Sequence, residues 1–410
     1  MINLETPKKF KPLVGQAHQV ASEVFRPISR KYDVAEHEYP KELDMLASLI
    51  DGMSEGSDIE STGATGVRRE ANGAAGAENR NGSNLSTVLS IIELCWGDVG
   101  LLLSMPRQGL GNSAIASVAS EEQLAHYGGR WAAMAITEPE AGSDSAAIRT
   151  TAELDGDQYV LNGEKIYVTS GERAELVVVW ATLDRSHGRA AIRSFIVERS
   201  NPGLKLERLE HKLGIRASDT AAFRLEDCRV PKEALLGGPG QEDKGDKDGK
   251  EGFGGAMQTF DNTRPLVAAM AVGVARASLD ETRTRLAEAG VELDYLTPAL
   301  SQSAAAARFL ELEADYEAAR LLTLQAAWMA DNSKPNSLQA SIAKAKAGRT
   351  CVTVALGCVE LCGSVGYAEN ELLEKWARDA KILDIFEGTQ QIQLLIVART
   401  LLGKSSAELK

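Results

Sequence analysis

Positive charge is in short supply: 45 Lys and Arg stand against 58 Asp and Glu, a formal net charge of −13. A phosphate backbone attracts a basic surface, so this balance argues against nucleic acid and against an anionic membrane face. Long apolar runs are also missing. The stretches 175–183 and 265–275 are of core length, well short of the roughly 20 residues a membrane helix needs. The opening Met-Ile-Asn-Leu-Glu-Thr-Pro-Lys-Lys is followed by no apolar block, so no secretory signal is expected and a cytoplasmic location is. Cysteine and histidine are scarce, five of each. Cys95, Cys228, Cys351, Cys358 and Cys362 form no metal pattern, and the last three are spaced for one buried helix face. No histidine pairs with an acid at ligand spacing, so no metal centre is expected.

What is present is 44% hydrophobic content over 410 residues, enough for a large core and more than one domain. Residues 1–130 read as helical, with amphipathic segments at 20–27 and 43–50 and a long helix over 85–103. Between them, 51–86 is rich in Gly, Ser, Asn, Ala and Glu and is expected to be a mobile loop. Glu121 to Gly128 closes this part with a glycine stop, and His126 is expected on its surface. From 131 to 255 the pattern turns to period two. Asp155-Gly156-Asp157 and Asn162-Gly163 read as the turns of two successive hairpins. The run 236–253 reads as an exposed loop. From 256 to 410 helical periodicity dominates, over 266–286, 300–331, 338–362 and a final pair. The expected fold is multi-domain α+β: an N-terminal helical domain, a β-barrel-like middle domain and a C-terminal four-helix bundle.

One stretch stands out near the C-terminus, Asp384-Ile385-Phe386-Glu387-Gly388-Thr389-Gln390-Gln391-Ile392-Gln393. It separates two helical segments, 371–383 and 391–402. Gly388 breaks the first and the Thr389 hydroxyl can cap the second. By spacing alone, Glu387 is a first-turn acid that complements a helix dipole. A second stretch, Ala135-Ile136-Thr137-Glu138-Pro139-Glu140-Ala141-Gly142-Ser143-Asp144, reads by itself as a capped turn leading into a strand.

Together the two segments resemble the signatures of acyl-CoA dehydrogenases, and the Arg378-Asp379-Ala380-Lys381-Ile382 and Ile396-Val397-Ala398-Arg399 runs extend the match. The resemblance covers nearly the whole chain from about Ser117 onward. It implies an FAD-dependent α,β-dehydrogenation of an acyl-CoA thioester in fatty acid β-oxidation. Glu387 would abstract the α proton, and hydride would pass to flavin N5. Burial beside Phe386 would raise its pKa. The resemblance further implies cofactor contacts from Met134, Ala135, Ile136, Thr137, Gly142, Ser143, Tyr167, Val168, Thr169, Gly363, Thr389 and Gln391. Substrate contacts would come from Ser143, Asp261, Arg264, Gly388 and Arg399. An Asp261–Arg264 surface pair at a helix start is equally compatible with spacing. A tetramer is implied, as is an electron-transfer flavoprotein as electron acceptor.

Two departures matter. Gly290-Val291-Glu292-Leu293-Asp294 stands where relatives carry an Arg, a Thr and a Phe that reach a neighbouring subunit's flavin pyrophosphate. Glu360 and Gly363-Ser364 replace a Gln and a Gly pair. The alternatives to a self-sufficient dehydrogenase are therefore an oxidase of the same fold, or a partner subunit in a hetero-oligomer that completes another chain's site.

Overall fold

Apolar residues at helical spacing carry the chain into helices on both sides of a single sheet. A computed structural model describes residues 6–47, 81–106, 110–237, 253–405 and 408, with backbone alone for 253–262. The loops expected at 51–86 and 236–253 fall mostly outside the described residues. The first helices are α1 (Lys11–Val20) and α2 (Arg26–Val34), joined by a π turn at Ala21–Phe25. After them come α3 (Ser83–Gly97), α4 (Val99–Ser104), α5 (Leu110–Val118) and α6 (Glu121–Tyr127). The long helix expected over 85–103 is broken at Asp98. Its backbone is extended, and its side chain caps α4 by accepting from Leu101 N at 2.9 Å. The break is held from outside: buried Asp98 also accepts from Lys375 Nζ at 2.6 Å and from Ser29 Oγ. At α6, Ser120 and Gln123 form a capping box and Gly128 ends the helix.

The middle of the chain is one seven-stranded sheet: β1 (Ala132–Ala135), β2 (Thr151–Asp155), β3 (Gln158–Thr169), β4 (Leu176–Thr182), β5 (Ile192–Glu198), β6 (Leu204–Leu209) and β7 (Thr220–Pro231). Its order is β1-β4-β2-β3-β7-β6, with β5 also on β4. Asp155 to Gln158 makes the first expected hairpin. The second does not form. Asn162-Gly163 is instead a bulge in the long strand β3, where the register against β7 shifts between Leu161 and Gly163. Gly163 is needed there, with φ 152° and a would-be Cβ 2.5 Å from Thr150 Oγ1.

Five helices complete the chain: α7 (Phe253–Glu288), α8 (Ala304–Asp331), α9 (Ser337–Tyr367), α10 (Leu373–Ala380) and α11 (Gln390–Leu402). Helix α9 packs on α7, α8, α10 and α11. By length and composition it could cross a membrane, which the short apolar runs of the sequence did not suggest. Here it is the central helix of the bundle. The helices before and after the sheet share one core, in which Phe25, Val88, Leu266, Phe309, Val354 and Trp376 are buried together. Burying each such side chain stabilises by roughly 1.5–3 kcal/mol. Small residues let the helices close up: a Cβ on Gly273 of α7 would lie 2.6 Å from Ile92 O of α3. The expected sequence of helical, β and helical parts is found.

Candidate active site

The break between α10 and α11 holds two successive residues in left-handed backbone. A short 3-10 turn, Lys381–Asp384, follows α10, and Thr389 caps α11 by accepting from Ile392 N at 3.3 Å. Between them Glu387 has φ 55° and Gly388 φ 86°. A non-glycine residue held in this region costs roughly 1–2 kcal/mol, so the surroundings must impose it. They do so through two buried side chains. Lys344 Nζ donates to Gly388 O at 2.6 Å. Gln393 Nε2 donates to Glu387 O at 3.2 Å and to Gly388 O at 3.3 Å. At φ 86° Gly388 has a backbone that favours glycine, and a Cβ there would also stand 2.5 Å from Gln393 Nε2.

The Glu387 carboxylate points back at α7, where Thr263 Oγ1 donates to its Oε2 at 3.0 Å. Part of the residue's surface remains accessible, but the carboxylate itself is desolvated. Burial pushes its pKa up to about 7, against the Thr263 hydrogen bond and the charges of Lys344 and Arg264, which favour ionisation. A carboxylate poised at neutrality beside an accessible surface is a candidate proton acceptor. Thr263→Val removes the hydrogen bond to the ionised form, so the Glu387 pKa rises further. The acid limb of the pH–rate profile then moves to higher pH by about one unit, the equivalent of ~1.4 kcal/mol; an unmoved limb would contradict the contact's role.

The second half of the site lies on the sheet. The segment after β1 alternates, with Ile136 and Glu138 buried and Thr137 partly exposed. Glu138 is riveted from behind: its carboxylate accepts from Arg149 N at 2.6 Å, Thr150 N at 2.9 Å, Thr150 Oγ1 at 2.6 Å and Lys165 Nζ at 2.7 Å. Lys165 also donates to Ile136 O at 3.1 Å, and Ile166 N donates to Thr137 O at 3.0 Å. Burial lowers the Lys165 pKa to about 8, with Glu138 opposing the fall, so the pair is ionised at neutrality. On β3 a second register shift, between Lys165 and Val168, puts Tyr167 at φ 60° and leaves the residue 62% exposed. The bulge re-aims this ring out of the sheet. Near it, Ser170 is buried at φ 59°, and its Oγ has no partner among the described residues.

The expected site residues therefore differ in what they can offer. Thr137, Tyr167, Thr169, Glu387, Gly388 and Thr389 offer atoms at accessible positions. Val168 and Ala135 point into the sheet's core, so only their backbones can serve a ligand. Met134 and Ile136 pack against or within a neighbouring cluster under the sheet. Gly142, Ser143 and Gln391 are exposed, and a Cβ on Gly142 would meet nothing of this chain within 4 Å. Gly363 kinks α9 at φ 56°. Arg264, expected at the substrate, is buried, with Nη1 3.4 Å from Ser341 Oγ of α9. Arg399 lies in the last turn of α11, and the side chain of Asp261 lies outside the described residues. Helix α5 packs on both β1 and α7 and so couples the strand before Thr137 to the helix that bears Thr263. Gly111 permits this, since a Cβ there would lie 2.4 Å from Ala133 O.

Sequence spacing missed Thr263, Lys344, Gln393 and Lys165. Lys344 left a trace: it falls in phase with Ala340, Ala347 and Cys351 on the buried stripe of α9, where a lysine is out of place. The histidine reading also needs correction. His18, His187 and His211 contact Glu93, Asp184 and Glu36 at 2.9, 2.8 and 2.9 Å. Glu36, His37 and His211 bring ligand-type atoms within 4.8 Å of one another. Two of these three pairs join residues far apart in sequence, which spacing could not reveal.

Two family models match this chain: the acyl-CoA dehydrogenase middle domain over residues 133–228 and the acyl-CoA dehydrogenase C-terminal domain over residues 250–402. The chain belongs to the acyl-CoA dehydrogenase family. The short-chain specific acyl-CoA dehydrogenase of Clostridium acetobutylicum is 35% identical over 328 residues, 77% of this chain and 82% of that protein. The mitochondrial short-chain specific enzyme of Mus musculus is 40% identical over 274 residues, 65% of this chain. The match spans 62% of the mouse protein's length. Among solved structures, butyryl-CoA dehydrogenase from Megasphaera elsdenii superposes with a TM-score of 0.80 at 28% identity, over 98% of this chain and 100% of its own.

FAD is the cofactor of this family. The residues here fit a flavin: an exposed tyrosine ring for its face, a buried unpartnered hydroxyl at Ser170, and a loop at Thr137 fixed by an internal ion pair. Tyr167, Thr169 and the backbone of 134–137 would hold the ring system, and Ser143 the phosphate side.

Proposed function

We propose that this chain catalyses α,β-dehydrogenation of a short acyl-CoA thioester to the trans-2-enoyl-CoA, with Glu387 as the base. The observation that carries the reading is the Glu387 carboxylate: desolvated, oriented by Thr263, and at a pKa near 7 set first by burial. A proton α to a thioester carbonyl is weakly acidic, so the base must be ionised yet strong enough to take it near neutral pH. Glu387 meets both demands. The proton moves to its carboxylate, whose ionised form the nearby charges of Lys344 and Arg264 favour before the transfer. The chemistry FAD supplies when bound is acceptance of the β-carbon hydride. Electrons would leave to an electron-transfer flavoprotein, and the protein would work in the cytoplasm as a tetramer.

The choice of a short chain rests on the relatives named above, both of them short-chain specific. The test is anaerobic mixing of the purified holoprotein with acyl-CoAs of increasing length. Bleaching of the bound flavin fastest with butanoyl-CoA supports the reading, and no bleaching with any acyl-CoA defeats it.

A second reading has one observation in its favour. The loop 290–303 surrounds a surface cavity of ≈ 460 Å³ whose lining residues include Glu292 and Asp294. Acids suit a pyrophosphate poorly. If this loop faces a neighbour's cofactor, the chain works with a different partner subunit. A stable homo-oligomer with one FAD per chain, purified alone, would exclude that arrangement.

A further inference from the structure

Lys344 is a buried cation that neither gives nor takes a proton in the proposed transfer. Its side chain is 1% exposed, and it comes from α9, the helix packed against the Glu387 turn. Among the described residues it forms no ion pair, and its one hydrogen bond goes to Gly388 O at 2.6 Å. Burying an ammonium without a paired carboxylate is costly. A carbonyl can be pinned as well by a neutral amide, and Gln393 of α11 already does so from the other side. The structure therefore uses a charge where a neutral donor would suffice for the fold.

We infer that Lys344 is a positioning residue for the proposed reaction: from behind the Gly388 carbonyl it fixes the left-handed Glu387–Gly388 turn and supplies the positive field in which Glu387 is ionised. The inference rests on Glu387 being the base. Among the described residues, the charged and polar groups around that carboxylate come from four elements. From α7 come Thr263, hydrogen-bonded to it, and Arg264, which is tied to Ser341 of α9. From the turn before it comes Asp384, which with Glu387 favours the charged form of Lys344. From α11 comes the uncharged Gln393. Burial lowers the Lys344 pKa to about 8, and the ammonium remains charged where Glu387 titrates. With Lys344 neutralised, Glu387 loses a favourable charge, its pKa rises, and activity requires higher pH.

The experiment uses holoprotein with Lys344→Gln, Lys344→Met and Lys344→Arg. Anaerobic reduction of the bound FAD by butanoyl-CoA is followed by stopped flow from pH 5.5 to 9, alongside equilibrium binding of a non-reducing CoA thioester. The Gln and Met variants are expected to bind the thioester within about threefold of wild type. Below neutrality they should reduce the flavin about tenfold more slowly, the acid limb having moved up by about one pH unit. Lys344→Arg should return the limb toward the wild-type position. A pin with no electrostatic role would lower the yield of holoprotein or its binding without moving the limb. A wild-type limb in Lys344→Gln overturns the inference, and so does failure of both neutral variants to fold, since Lys344 would then serve the fold alone. If the wild-type protein itself is not reduced by butanoyl-CoA, the dehydrogenase reading falls instead.

Discussion

Glu387→Gln gives a folded, FAD-binding protein in which butanoyl-CoA reduces the flavin about 10²–10⁴-fold more slowly, the range usual for loss of a general base. Gln keeps the volume and can accept from Thr263, so the turn survives and the loss is one of proton affinity. The same variant should be more stable than wild type at alkaline pH. The folded-state pKa of Glu387 is raised from 4.5 to about 7. In the folded state the carboxylate therefore holds its proton more tightly than in the unfolded chain. Ionisation then destabilises wild type progressively between these values, by up to roughly 3 kcal/mol above pH 7. Thermal unfolding at pH 8 should place the variant above wild type, and at pH 4.5 the two should coincide. A variant with wild-type flavin reduction, or less stable than wild type at pH 8, would oppose this picture of the carboxylate.

Lys165→Met carries the largest expected cost in stability. It leaves the Glu138 carboxylate buried, with its backbone and Thr150 donors but without its counter-charge. Removing one partner of such a pair typically costs about 3–5 kcal/mol. The loop from Ile136 to Glu138 loses the Lys165 bonds to Ile136 O and Glu138 at once. FAD binding should weaken with it, because Thr137 sits on that loop. Adding Glu138→Gln to Lys165→Met should recover part of the stability, since the stranded charge is gone. Thermal denaturation and FAD titration of the single and double variants read both effects. A Lys165→Met protein as stable as wild type would mean that the pair is not the loop's anchor.

Much of this was legible in the sequence, and the gaps have physical causes. Helix limits in the bundle follow apolar periodicity, and Thr389 was readable as a cap because capping is local. Glu387 was legible only as a first-turn acid or as a member of a family motif; its desolvation depends on α7 and α9, which are remote in sequence. The same holds at Asp98. Helix propensity continues through it, and the break is imposed by Lys375 and Ser29 from other helices. Asn162-Gly163 has the composition of a hairpin turn, yet β7 pairs with both flanks of it and converts the turn to a bulge. The bulge that exposes Tyr167 left no mark, because it depends on register between strands. The Arg378-Asp379 motif proves to be scaffold. Arg378 binds Asp33 at 2.6 Å, and Asp379 accepts from Ile215 N at 2.6 Å and from Lys375.

Hydrogen exchange at the thioester's α carbon measures the work assigned to Glu387 without requiring net oxidation. In D₂O, holoprotein is incubated with 3,3-dimethylbutanoyl-CoA, whose β carbon has no hydrogen to give up, and α-deuterium is counted by mass spectrometry. Wild type should wash deuterium in, with a pH dependence rising through about 7, and Glu387→Gln should not. Equal exchange in the two proteins would contradict a proton-abstracting role for this carboxylate.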